Sequence, residues 1–427
     1  MNILYLVHQT YYNEYSGTPL ITKQYADNAI KRGCNVAIMT PYEGEINFKN
    51  LNKSNRDNIT LYNWPKIKNW NIEAFEQKLD SKSKINTANM DFKPNIIHVI
   101  DWIDFDQKIL NFLKSFNVPI IRHIMNFEDF CYFTSPIYFN KNHAPCEANL
   151  TADNCAKCIS VYNYNKKNFL GKLKSNLFQI KKKEYKQFKN RLKNRNEIAN
   201  NQINDCFDHL IFPSRKFANY YLSHLKVKKK YSVINLGISN SLKKKNEISK
   251  NTKKLNIVFV GGANLRKGWD IIEYTFKRLL HRYNDRIELK IYGHKKKASK
   301  SQLRNFNSIQ FYDSYKFDNI YDTMTWAHIG LVPSYFEGYC KVLHEMMACD
   351  VVPIANNFFG SEIIKNDSNG LILEKPFSED LFKKIEFIIK NPESLKKLKY
   401  NLSKTELFFE NDEFEQIFQL YKNISIN

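Results

Sequence analysis

No run of apolar residues in this 427-residue chain approaches the roughly eighteen that a bilayer-crossing helix needs, so no membrane-spanning segment is expected. The opening "MNILYLVHQ" holds too few apolar residues before His8 for the core of a signal peptide, and reads as a short buried strand. A cytoplasmic protein is the expectation. Acidic residues are also short: 43 Asp and Glu stand against 65 Lys and Arg, a formal charge of +22. Such a field draws polyanions, whether nucleic acid, an anionic membrane surface or phosphorylated ligands. Lys and Asn are spread through loops and helices alike, so part of that charge is background composition. Cysteines number only eight, and in an intracellular chain they suit reduced thiols or metal ligands better than disulfides.

What is present describes a soluble globular protein, with 43% hydrophobic and 25% charged residues. The length exceeds one hydrophobic core, so two domains are expected. Strand-length apolar runs alternate with helical periodicities twice over. "ILYLV" (3–7), "NVAIMT" (35–40), "NIIHVID" (95–101), "VPIIRHI" (118–124) and "DHLIFPS" (208–214) form one series, with residues 42–94 read as a polar loop region. "LNIVFVGG" (255–262), "IELKIYG" (287–293), "HIGLVPS" (328–334), "VVPIA" (351–355) and "GLILE" (370–374) form the other. This alternation predicts α/β architecture: two Rossmann-like doubly wound domains facing each other across a cleft, where carboxyl ends of parallel strands bind ligands. The polar, basic segment 236–254 reads as the linker. The domains are therefore placed at 1–240 and 241–411, with 412–427 as a helix returning to the first. Ser378, followed by Glu379 and Asp380, is read as the cap of a helix running toward Asn391.

The stretch "FEGYCKVLHE" (336–345) places Glu337 on the loop after a strand and Glu345 about a turn into the next helix. The helix's free amides near Tyr339 to Lys341 favour an anion such as a phosphate. Two carboxylates flanking an anion site can each accept hydrogen bonds from a diol, an arrangement that a nucleotide sugar satisfies. Two solvated glutamates are the plain alternative. In "FVGGANLRKGWD" (259–270), Lys267 offers a point charge for a pyrophosphate, and Gly261 and Gly262 let backbone amides come close. A solvated basic turn is the alternative there.

The longer stretch "PSYFEGYCKVLHEMMACDVVPIA" resembles the strongest motif of the family-4 glycosyltransferases, retaining enzymes of the GT-B fold. "FVGGANLRKGWD" resembles that family's diphosphate loop, and "YSGTPLITKQYADNAIKRGCNVAIMTP" (15–41) its first loop and helix. The resemblance implies that Glu337 contacts the donor sugar and Glu345 the nucleotide ribose. It implies that Lys267, with Arg266 replacing the family's usual arginine, neutralises the departing diphosphate, so the catalytic set is Glu337, Lys267 and Arg266. Gly17, Gly261, Gly262, Gly338, Tyr339 and Cys340 then join Glu345 in binding the donor, and His123 is named as a sugar contact in place of the family's histidine. The sequence departs from the family at Cys340 and Asp350, where glycines are usual, and at Met346, where alanine is usual. His98 is read as a core histidine.

Two further features stand apart. Cys131, Cys146, Cys155 and Cys158 fall in a cysteine-rich insertion (about 125–160), and "CAKC" has the spacer of tetrahedral zinc sites; a structural zinc and scattered thiols stay equally open. A basic segment (about 165–200) carries Leu170, Leu173, Leu177, Phe188 and Leu192 at helical spacing among lysines. It fits a solvated helix with one buried face or a helix lying on an anionic membrane, as a lipid-linked acceptor would require.

With the cytoplasmic expectation above, the resemblance implies a cytoplasmic enzyme, and the membrane reading of the basic segment would make it peripheral on the membrane's cytoplasmic face. It would move a sugar from a nucleotide-diphosphate sugar to a glycan or lipid-linked acceptor in surface polysaccharide or glycoconjugate synthesis, with retention and no catalytic cofactor or metal. The alternatives are a basic, zinc-stapled nucleic-acid-binding protein, although no recognised nucleic-acid motif is present, and a non-catalytic sugar-nucleotide-binding module of the same fold.

Overall fold

A computed structural model of the chain describes residues 1–8, 17–42, 51–66, 90–101, 105, 107–132, 151–167, 185–186, 189–190, 192–193, 195–243, 254–293, 301–313 and 320–425. The chain divides into two units, residues 1–234 with 414–427, and residues 235–413.

Unit 1 is built on eight strands: β1 (Asn2–Leu6), β2 (Asn35–Tyr42), β3 (Lys53–Arg56), β4 (Ile59–Pro65), β5 (Ile96–Val99), β6 (Ile120–His123), β7 (His209–Phe212) and β8 (Lys230–Val233). Their order is β3-β4-β2-β1-β5-β6-β7-β8, parallel except for the β3–β4 pair. The central strands β5, β6 and β7 are buried along their whole length, as strands covered on both faces must be. The 42–94 region expected to be loop contains the β3–β4 hairpin. Its turn residues Asp57 and Asn58 take φ of 52° and 63°, the left-handed pair that tight hairpins use. The charged, wholly exposed β3 carries no apolar signal, which is why local reading passed over it.

The helix Glu410–Ser425 brings its later residues into unit 1. Phe414 packs on Tyr25, and the Tyr421 hydroxyl lies 2.5 Å from His98 Nδ1. Tyr5, Tyr25, His98, His123, Phe414 and Tyr421 form one buried aromatic cluster beneath β1, β5 and β6.

Unit 2 has six parallel strands: β9 (Leu255–Val260), β10 (Ile287–Tyr292), β11 (Ile309–Tyr312), β12 (Ile329–Val332), β13 (Val352–Ala355) and β14 (Leu371–Ile372). Their order is β11-β10-β9-β12-β13-β14. The helix Trp269–Tyr283 buries Ile272, Phe276 and Leu279 against the sheet, and Phe377–Lys390 packs beside it through Leu381, Phe382 and Ile385. Ser378 is not the cap of that second helix. Pro376 occupies the cap position and makes no side-chain cap hydrogen bond, while Ser378 lies within the first turn, its carbonyl accepting from Thr275 at 2.9 Å. The segment expected as an aperiodic linker is partly structured: Ile238 bridges Phe409, and 240–243 form a short 3-10 turn.

Among the described residues no helix is long and apolar enough to cross a membrane. Most of the basic segment, with Leu170, Leu173, Leu177 and Phe188, lies outside them. Leu192, within them, is buried with Ala156 and Ile159.

Candidate functional site

From β9 the chain of unit 2 builds outward through β10 and β11; from β12 it builds the opposite way through β13 and β14. The order reverses between β9 and β12, and the carboxyl edge above such a reversal is where open α/β sheets receive ligands. The loops leaving these two strands carry the residues singled out above.

After β9, Gly261 and Gly262 both donate their amides to the Tyr292 carbonyl at 3.0 Å. Gly262 has φ of 58°, and a Cβ on Gly261 would meet Lys267 Cβ at 2.9 Å. Asn264 then starts a short turn over 265–267 by accepting from the Arg266 amide, and Gly268 closes it at φ 77°. A Cβ on Gly268 would stand 2.2 Å from the Pro333 carbonyl oxygen, so the two loops touch through backbone. Gly268→Ala is expected to destabilise unit 2 by about 3 kcal/mol, the combined cost of a left-handed non-glycine and a backbone clash. An unchanged urea midpoint for that variant would contradict the packing described.

After β12, the Tyr335 amide donates to the Arg266 carbonyl at 2.9 Å, and Asn356 donates to the carbonyls of Pro333 (3.0 Å) and Ser334 (3.1 Å). This scaffold sets Glu337 beside the first loop. Lys267 Nζ lies 2.6 Å from Glu337 Oε1, across 70 residues of sequence. Glu337 is 6% exposed. Burial pushes its pKa up, but the charges of Lys267 and Arg266 and hydrogen bonds from Lys267 and Ser334 outweigh it, so the carboxyl sits below the usual range and is ionised.

Glu345 lies in the helix Lys341–Ala348, almost every residue of which is buried. Val342 is partly exposed, while His344 and Glu345 are inside. Burial raises the Glu345 carboxyl to about 7, with Lys341 opposing the rise and Glu410 adding to it. Cys340 precedes the helix at φ 68°, a left-handed conformation that favours the glycine usual in the resembled family. Its thiol is pushed up to about 12, chiefly by burial and then by the charge of Glu337. Tyr339 stacks on His344 at 4.5 Å, and His344 contacts the Gly360 carbonyl at 3.1 Å. A Cβ on Gly360 would meet the Tyr339 carbonyl oxygen at 1.9 Å, so this wall too is set by backbone contact.

Unit 2 thus brings together Lys267, Arg266, Glu337, Cys340 and Glu345, with Gly261, Gly262, Gly338 and Tyr339 on the same loops. Cationic and anionic groups of this kind at a strand-order reversal can hold a ligand that is both phosphorylated and hydroxyl-rich.

The sequence pattern of the family described as Glycosyl transferases group 1 matches residues 240–405, which hold every one of these groups. The similarity to that family lies in those residues. An uncharacterized glycosyltransferase of Methanocaldococcus jannaschii is 32% identical over 145 residues, 34% of this chain and 41% of that relative, so the match spans under half of the relative's length. Solved structures share the fold: sucrose-phosphate synthase from Thermosynechococcus elongatus (TM-score 0.63, 14% identity, 99% of each chain) and Anabaena HepE in complex with UDP-glucose (0.58, 13%, 99% and 100%). WaaG, a glycosyltransferase involved in lipopolysaccharide biosynthesis, aligns over 99% of both chains at 0.58 and 13% identity. The fold is GT-B.

Gly17 and His123 belong to unit 1. Gly17, at φ 72°, precedes the helix Thr18–Lys31. His123 ends β6 with its ring 2% exposed, stacked on His98 at 5.7 Å and Tyr25 at 6.3 Å. Neither ring nitrogen has a hydrogen-bond partner among the described residues, and burial lowers its pKa to about 3. A ring so enclosed is placed as core, and the sugar contact expected of it is not carried further. His98 is buried as expected.

Cys155 and Cys158 lie one turn apart in the helix Ala152–Lys167. Among the described residues no group of three His, Cys, Asp or Glu is placed to hold a metal, and Cys146 lies outside them. Ser334, Asn356, Gly268 and Gly360, which the sequence reading gave no individual role, support the two loops. The Pro-Ser before Glu337 was the available signal for the first of these.

Proposed function

We propose that the protein transfers a sugar from a nucleotide-diphosphate sugar to a glycan or lipid-linked acceptor with retention of anomeric configuration. Lys267 meeting Glu337 at 2.6 Å on the strand-order reversal of unit 2 is the observation that carries this reading. Lys267 and Arg266 take the diphosphate, Glu337 the hydroxyls of the donor sugar, and Glu345 the ribose hydroxyls. Gly261 and Gly262, their amides held by the Tyr292 carbonyl, shape the turn that presents Lys267, while Gly338, Tyr339 and Cys340 shape the opposite wall.

In the reaction the bond from the anomeric carbon to the diphosphate oxygen breaks, its electron pair staying on that oxygen. The acceptor oxygen bonds to the same face of the carbon, and its proton passes to the departing phosphate. Negative charge grows on the diphosphate as the bond breaks, and fixed cations at Lys267 and Arg266 stabilise it most at that moment. The acceptor's setting in surface polysaccharide or glycoconjugate synthesis, and attachment to an anionic membrane face, belong to the same proposal and rest on the net charge of +22.

A thermal-shift screen against uridine, guanosine and adenosine diphosphate sugars tests the donor class, since a ligand bound only by the folded state raises the melting temperature. One nucleotide series stabilising the protein is expected; none doing so would defeat the reading.

Glu345 adds a pH dependence. With its carboxyl near 7, more of it is ionised and able to accept ribose hydroxyls as pH rises. Donor affinity is expected to strengthen about tenfold from pH 6 to 8 in the wild type and to stay flat in Glu345→Gln. Parallel pH curves for the two proteins would remove Glu345 from the donor site.

A further inference from the structure

The later residues of the helix Glu410–Ser425 are held to unit 1 in two unlike ways. On the outer side, Arg32 pairs with Glu415 at 2.9 Å and lies over the rings of Phe414 (4.8 Å) and Phe418 (5.5 Å). On the inner side, Phe414, Ile417 and Tyr421 are fully buried, and Tyr421 meets β5 at His98. The Tyr421 hydroxyl stands 2.5 Å from His98 Nδ1 and 3.5 Å from the Tyr5 hydroxyl.

His98 is enclosed on every side. Tyr25 and His123 stack on its ring at 5.8 and 5.7 Å, and Tyr5 and Tyr421 close it at 5.9 and 5.7 Å. Its Nε2 and both nitrogens of His123 are buried without a hydrogen-bond partner among the described residues. The titratable groups that face it are therefore Tyr5 from β1, Tyr25 from the helix Thr18–Lys31, His123 from β6 and Tyr421 from the C-terminal helix. Cys34, which interacts electrostatically with Tyr5 and Tyr421, stands behind them. None of these is a carboxylate, and burial keeps Tyr5, Tyr421 and Cys34 neutral. A proton on docked His98 would create a charge with no counter-ion and an Nε2–H donor with no acceptor, which burial penalises heavily. Once Tyr421 moves away, water reaches Nδ1 and the ring can take up a proton at little cost.

We propose that His98 and Tyr421 form an acid-sensitive latch: proton uptake by His98 releases residues 414–425 from unit 1 while the parallel strands beneath stay paired. Linkage sets its direction. Released His98 binds a proton near pH 6.5 and docked His98 far lower, so each pH unit below 6.5 favours release about tenfold. Docking strength is fully present above that value and is lost as pH falls. Freeing one helix exposes less surface than opening the sheet, so release sets in before unit 1 unfolds. The latch holds whatever ligand unit 2 takes.

Amide hydrogen exchange of the full chain at pH 8 and pH 5, corrected for the intrinsic rate at each pH and read peptide by peptide, tests this. In wild type the protection of amides 414–425 is expected to fall about thirtyfold or more, the effect of about 1.5 pH units below the free imidazole value. At pH 5 it should also lie at least about tenfold below the protection of β1, β5 and β6. In His98→Phe, which keeps an enclosed ring and removes the titration, the fall should be at least about tenfold smaller than in wild type. Helix and strand amides exchanging together at both pH values would mean that the helix leaves only with the whole unit, and would overturn the latch; so would a fall in His98→Phe as large as that of wild type. If His98→Phe does not fold, His98→Gln, neutral at both pH values, takes its place. The wild-type comparison of helix with strands decides between release and common unfolding without any variant.

Discussion

Lys267→Ala is expected to lower kcat/KM for sugar transfer by about a thousandfold, roughly 4 kcal/mol of transition-state stabilisation. Two losses combine. The departing diphosphate loses the cation fixed nearest to it, and Glu337 loses the charge that keeps a buried carboxyl ionised. Glu337→Ala is expected to abolish transfer for a different reason, since Lys267 survives but the donor sugar loses its acceptor of hydrogen bonds. Because the two side chains meet directly, the double variant should be little worse than the poorer single one. Steady-state kinetics on the three variants decide it: additive losses, or a Lys267→Ala enzyme within tenfold of wild type, would separate the two residues functionally.

The second large effect is on stability. His123 is neutral in the folded protein to about pH 3, while in the unfolded chain it protonates at the ordinary value of about 6.5. A lowered imidazole pKa contributes stability that is fully present above the unfolded value and is lost as pH falls toward the folded one. Between pH 8 and pH 5 His123 alone removes about 2 kcal/mol. His98, shifted downward by burial and by its neighbour His123, adds to the loss in the same direction. Denaturant melts at pH 8 and pH 5 should show a steep fall for wild type and a fall shallower by about 2 kcal/mol for His123→Phe, which keeps the stacking on Tyr25. An identical fall in both proteins would place the acid-sensitive group elsewhere.

The proposed donor cluster was legible because its parts are local. Glu337 and Glu345 share one loop–helix segment, and Lys267 follows a glycine-ended strand whose apolar run is unbroken. That Lys267 reaches Glu337 is a consequence of β9 pairing directly with β12, which strand spacing along the chain does not specify. The His8–Asp101 contact is likewise invisible in the sequence, since only the β1–β5 register joins the two residues. The β3–β4 hairpin escaped because an exposed strand of Lys, Ser, Asn and Arg has no apolar alternation to detect. His123 was named from the resembled family's histidine, and the structure buries its ring against Tyr25 and His98. Ser378 has the residue type of a cap, but Pro376 already begins the helix two residues earlier.

Isothermal titration of wild type, Lys267→Ala and Glu337→Ala with UDP, GDP and ADP, each alone and as its hexose conjugate, addresses the donor site most directly. One nucleoside diphosphate should bind wild type and lose at least about tenfold in affinity to Lys267→Ala. Glu337→Ala should bind the bare diphosphate as wild type does and lose only the added affinity of the sugar conjugate. Binding that ignores Lys267, or no binding of any of the six ligands to wild type, would contradict the assignment of this cluster to a nucleotide sugar.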